Sequence, residues 1–161
     1  MKIVVKTTLF AFLYCIIACC NSSHSSSNET SFKMKEEVIL MLDSVRNDIG
    51  WNGPIKWIKY FEDTSAFYMA SEGKLVFSDY NAAKKFITDT LVHKVSGIVL
   101  DWQNINIDSI CENTVAINTY YHEDLMIIND SAIHEMGYCT AIADRTNTGW
   151  KFRTLHWSVS K

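Results

Sequence analysis

The sequence predicts an α+β domain, with three N-terminal helices packed on one face of a curved antiparallel sheet. Three observations carry this expectation. Apolar residues recur at helical spacing soon after residue 32, and long alternating stretches fill the second half of the chain. The length of 161 residues allows one domain with a proper core but not two of ordinary size.

The elements follow in order. Val38, Met41, Leu42, Val45 and Ile49 form the apolar stripe of a first helix, with Lys33, Lys35, Glu36, Asp43 and Arg46 elsewhere on it. Gly50 is expected to end that helix. Pro54, the only proline, suits the first turn of a second, aromatic helix through Ile55, Trp57, Ile58, Tyr60 and Phe61. Ser65 to Ala70 reads as a strand, Ser71-Glu72-Gly73-Lys74 as a turn, and Leu75-Val76-Phe77 as a short return. Ser78 or Asp79 can cap a third helix that buries Ala83, Phe86, Ile87, Thr90 and Leu91.

Gly97 to Ile107, Val115 to His122 and Ile133 to Arg145 then alternate as strands. The stretch from Glu123 to Ala132, with turn-like Asn129-Asp130-Ser131, suits either a hairpin extension or a flap. The last strand, Gly149 to Ser158, opens from a turn. Strict alternation puts Trp150, Phe152, Thr154, His156 and Ser158 on one face. Neither face is purely apolar, so one is read as the lining of a cavity.

Composition bounds the function. A hydrophobic content of 48% fits a folded chain, and a net charge of −3 without a basic, aromatic-interleaved run excludes a nucleic-acid partner. No CxxC, HExxH, Gly-rich phosphate loop or nucleophile elbow occurs, so neither a metal nor a cofactor is expected. Cys111 and Cys139 read as small core residues, with a disulfide between them in an oxidising compartment as the alternative.

The N-terminus reads as an address. A basic start and the apolar run from Leu9 to Ala18 form a signal peptide, residues 1–18. Ile16-Ile17-Ala18-Cys19 resembles the bacterial lipobox, which implies cleavage before Cys19 and its lipidation. Polar residues 19–31 would then tether the domain, residues 32–161, to the outside of a membrane in the bacterial cell envelope.

The chain from Phe32 to Ser158 resembles the SnoaL-like branch of the nuclear transport factor 2-like superfamily. The resemblance rests on Gly149-Trp150-Lys151 with His156-Trp157-Ser158 at the end. Tyr60-Phe61-Glu62-Asp63 after the second helix and Ser78-Asp79-Tyr80 opening the third add to it. It implies a cone-shaped α+β barrel, of the cystatin-like kind, that encloses a pocket, commonly in a homodimer.

The family also implies a route to chemistry, carboxylates that move protons in an apolar pocket; ketosteroid isomerase is a worked example of that arrangement. Counting along this chain puts the base near Met69 or Ala70 and the second acid near Gly137, and neither place is ionisable. The expectation is therefore non-catalytic binding of a small apolar or amphipathic ligand, or a dimeric scaffold. An isomerase, dehydratase or cyclase is the alternative and a protein-interaction module a third. Catalytic candidates are His156, Asp101 and Tyr138. A ligand pocket is expected from Trp57, Tyr60, Tyr68, Tyr120, His134, Tyr138, Trp150, Phe152 and His156.

Overall fold

The structure, a computed structural model, describes residues 23–160; the signal peptide and Cys19 lie outside them. The chain divides into two units, one ending at Met34 and the other beginning at Lys35. Helix α1 spans Ser23–Asn52, so residues 23–31, expected as a tether, are helical. No glycine or proline interrupts the sequence between Ser23 and Gly50. Gly50 does not end the helix. The break comes at Gly53, whose positive φ of 76° favours glycine.

In the second unit the predicted stripe of α1 is the buried one: Val38, Met41, Leu42, Val45 and Ile49 are all inside. Trp102 fastens α1 to the sheet by donating its indole N–H to the Leu42 carbonyl at 3.0 Å. The second helix is a 3-10 turn, Pro54–Tyr60, with Pro54 at its start. Its ring-bearing side carries the packing, while Ile55 is exposed. Helix α2, Tyr80–Phe86, is capped by Asp79, whose Oδ1 accepts from the Ala82 N–H at 2.9 Å. It continues as a π-helical turn, Ile87–Leu91, and ends at Lys94. Ala83 and Ile87 are buried as expected; Phe86 is not, and packs on Phe77 at the edge.

The strands are β1 Tyr68–Ser71, β2 Lys74–Phe77, β3 Val95–Cys111, β4 Thr114–Ile127, β5 Ile133–Thr146 and β6 Gly149–Val159. The ambiguous stretch after Glu123 continues β4 to Ile127 and turns back into β5. The sheet order is β2-β1-β6-β5-β4-β3. All neighbours are antiparallel except β1 and β6, which run parallel, so the sheet is mixed where a purely antiparallel one was expected. The helices lie on one side of it, as the α+β reading requires. Cys139 is buried and Cys111 exposed at the end of β3, both as free thiols.

One irregularity redirects the closing strand. Ile142 pairs with Thr154 but Ala143 pairs with Phe152, so Arg153 is an extra residue in β6. Trp150 and Phe152 point inward before this bulge. After it the inward residues are Leu155 and Trp157, while His156 and Ser158 are exposed. A one-residue insertion in a period-two strand exchanges its faces. The single-face alignment from Trp150 to Ser158 expected from the sequence is thereby broken at Arg153.

Gly137 lies where β5 runs under the end of β6. A Cβ there would sit 1.9 Å from the Ser158 carbonyl oxygen, a backbone atom that cannot swing away. Gly137→Ala is expected to lower stability by at least about 2 kcal/mol in urea unfolding. An unchanged midpoint would show that β6 does not close over this position.

Candidate functional site

The inner side of the curved sheet is filled mainly by rings, and Trp157 is their hub. It stacks on Trp102 at 5.7 Å and meets Tyr121 edge-on at 4.7 Å and Trp57 at 6.1 Å. Phe61 stacks on Phe67 and tilts against Trp57, extending the cluster. What remains open beside these rings is a cavity of about 150 Å³, lined by Trp57, Met69, Ser71, Val76, Tyr121, Glu123, Glu135 and Trp157.

Two carboxylates share that cavity. Glu123 of β4 and Glu135 of β5 are directly opposed across the hairpin, two residues along from the Tyr121–Gly137 pair and on the same face. Like charges in that relation repel. Burial, then the charge of Glu135 and of Asp124, pushes the Glu123 carboxyl up to about 7. Burial also holds the Tyr121 phenol well above its ordinary range, with Glu135 and Glu123 adding to the effect. Trp157, 7% exposed, is one of the walls, and its indole N–H has no acceptor among the described residues. The cavity thus combines an opposed acid pair with aromatic walls.

The residues expected at the site divide among several places. Only Trp57 of the predicted pocket lines this cavity. Tyr60 and Trp150 border a separate groove of about 440 Å³ with Glu37, Lys59 and Lys151. There the Tyr60 hydroxyl bonds Asp48, and the Trp150 indole N–H donates to Glu37 at 3.1 Å. Phe152 is solid core. Tyr68, Tyr120, His134, Tyr138 and His156 lie on the outer face of the sheet. Tyr68 and His156 together border a pocket of about 260 Å³ there, and Tyr120 meets Tyr138 edge-on at 5.2 Å. His134 is spent on Asp124 at 2.7 Å.

The catalytic candidates fare no better. His156 faces outward because of the Arg153 bulge. Tyr138 is 60% exposed on the strand position that alternation gives the outer face. Asp101 accepts from Gln103 at 3.0 Å and lies 3.6 Å from Arg46, a solvated carboxylate between a helix and a strand edge. These three do not converge on the cavity. No group of three or more His, Cys, Asp or Glu side chains among the described residues could hold a metal ion.

Two acids were missed, and a signal for them existed. Met69, the position counted for the base, does line the cavity but carries a thioether. The position counted for the second acid, Gly137, cannot bear a side chain. The acid occurs one strand period earlier, at Glu135. Asn129, in the turn-like stretch, lies midway between Glu123 and Glu135, so folding the hairpin symmetrically about it would have opposed the two.

No protein-family model matches the sequence, and no curated protein matches it. Solved structures do resemble the fold. A Novosphingobium aromaticivorans protein provisionally named a scytalone dehydratase superposes with a TM-score of 0.71 at 13% identity, covering 83% of this chain and 89% of that one. The hexachlorocyclohexane dehydrochlorinase LinA-type3 of Novosphingobium barchaimii gives 0.66 at 10% identity over 83% and 91%. A nuclear transport factor 2-like superfamily protein of Salmonella enterica gives 0.62 at 15% identity over 84% and 94%. The fold is therefore the α+β cone of the nuclear transport factor 2-like proteins. At these identities the likeness speaks for the fold alone.

Glu123 binds its proton more tightly folded than unfolded, so stability falls as pH rises from the ordinary carboxylate range towards 7. Glu123→Gln is expected to flatten the melting temperature between about pH 5 and about pH 8. At the upper end it should add of order 2 kcal/mol, after allowance for partial contact with water. A variant that keeps the wild-type slope would place the responsible group elsewhere.

Proposed function

We propose that the chain is a lipid-anchored protein of the bacterial cell envelope whose cone domain binds a small ligand without turning it over. The observation that supports binding is the cavity beside Trp157, walled by rings and tipped with two carboxylates. Concave, largely apolar sites with a few polar groups are where folded domains bind small molecules. Its volume of about 150 Å³ suits a molecule near the size of benzene. Anchoring is supported by the lipobox-like Ile16-Ile17-Ala18-Cys19. Homodimer formation through the outer sheet face is supported by exposed Tyr68, Val99, Met136 and Tyr138.

A second reading has an observation in its favour. Glu123, with its proton held to about pH 7, next to Glu135 is an arrangement able to give and take protons near neutrality. The solved structures similar in fold include proteins named as a dehydratase and a dehydrochlorinase. An acid–base enzyme of the isomerase or dehydratase type, with Glu123 in that role, follows from these two points.

Because Trp57 and Trp157 wall the cavity, ligand entry is expected to change intrinsic fluorescence, and Met69→Trp, which fills the space, should abolish the response. A response that survives the filling would defeat the binding reading, and elimination turnover lost in Glu123→Gln would establish the enzyme instead. Membrane fractionation tests the anchor: Cys19→Ala should move the protein to the soluble fraction, and retention on membranes would refute it. Sedimentation of wild type and Tyr138→Asp reports assembly in the same preparations, a monomeric wild type ruling out the dimer.

A further inference from the structure

The walls of the cavity are unevenly charged. Glu123 and Glu135 enter it from adjacent strands, and no lysine, arginine or histidine lines it. The nearest basic groups along the same strands, His122 and His134, lie on the outer face, where His134 is paired with Asp124. Glu72, in the neighbouring turn, adds a third carboxylate whose field reaches Tyr121, although its Oε1 already accepts from the Val159 N–H. The opposed acids therefore face each other without a counter-charge among the described residues.

The remaining walls favour one kind of ligand. Trp57, Tyr121 and Trp157 line it with aromatic surface, so the carboxylate pair can attract a cation while alkyl groups on that cation pack against rings. A neutral apolar guest would strip water from the acids and return nothing. An anion, including the phosphate of a lipid headgroup, would be repelled. A hard metal ion would find only two carboxylates lining the cavity, and no group of three or more Cys, His, Asp or Glu among the described residues is placed to hold one. An organic ammonium uses the rings and the acids at once.

We propose that the cavity between Trp57, Trp157 and the Glu123–Glu135 pair is a binding site for a small alkylammonium compound. This deepens the small-ligand reading of the same cavity and rests on it. The cation takes the place of the proton that relieves the acid pair, so binding and protonation compete.

Calorimetric titration of the full-length protein with choline chloride tests the site, against 3,3-dimethylbutan-1-ol, which has the same shape without the charge. Choline is expected to bind one to one and at least about tenfold more tightly than the alcohol, and to tighten from about pH 6 to about pH 8. Glu135→Gln and Glu123→Gln, each verified to be folded by its melting curve, should remove that preference by weakening choline, with the alcohol bound no more weakly than by the wild type. Trp57→Leu should weaken choline as well. If the alcohol binds as well as choline or better, the cation inference is overturned and the small-ligand reading stands. If neither compound binds, both fall. Choline binding untouched by the two glutamate substitutions would overturn the assignment to this cavity.

Discussion

The extra residue in β6 is the constraint on which the interior depends. Arg153 occupies it, and its guanidinium reaches Asp144 of β5 at 3.1 Å, beside the irregular pairing. Just before it, Phe152 is held by a bridge to Phe61 and by the Glu62 N–H donating to its carbonyl. Beyond it, the strand presents the opposite set of side chains to the core. Leu155 and Trp157 turn inward, and the parallel pairing with β1 seats Trp157 beside Ser71. Had the strand kept its phase, His156 would have entered the core and Trp157 would have faced water. The first would bury a titratable ring, and the second would expose a large apolar one.

Trp157 then determines how much room the cone retains. Its contacts with Trp57, Trp102 and Tyr121 join the 3-10 helix, β3 and β4 through one indole, and Trp102 carries the connection on to α1 through Leu42. This packing fills much of the inner side of the sheet with core and leaves a small cavity beside β4 and β5. Gly137 belongs to the same solution. The end of β6 passes so close to it that no side chain fits, and the acidic function on β5 lies one strand period along, opposite Glu123.

The chemistry of the cavity follows from its surroundings rather than from its architecture. Structures of the same fold carry the names of a dehydratase and a dehydrochlorinase, but a shared cone at this level of identity transfers no active site. Here the histidine, tyrosine and aspartate that stood out in the sequence are spread over the outer face and a strand edge. Two unremarked glutamates meet instead, with rings around them and no cation beside them.

Much of the fold was legible because it follows from local rules. The buried stripe of α1 from Val38 to Ile49 follows from a 3.6-residue period, and the Asp79 cap from a free helix N–H and a short acidic side chain. The turns at Gly73 and Gly149 follow from glycines, which tolerate positive φ. The order of helices and strands, and with it the α+β class, needed nothing more. The candidate site was much less legible. Facing in a strand is a count of residues, and a single bulge reverses every later assignment, which is how His156 exchanged places with Trp157. Opposition across a hairpin is a register, and register is set by the turn and by which side chains the finished core accepts. The residues of the cavity were all written in the chain, but only the packed sheet decided that Glu123, Glu135, Trp57 and Trp157 face one another.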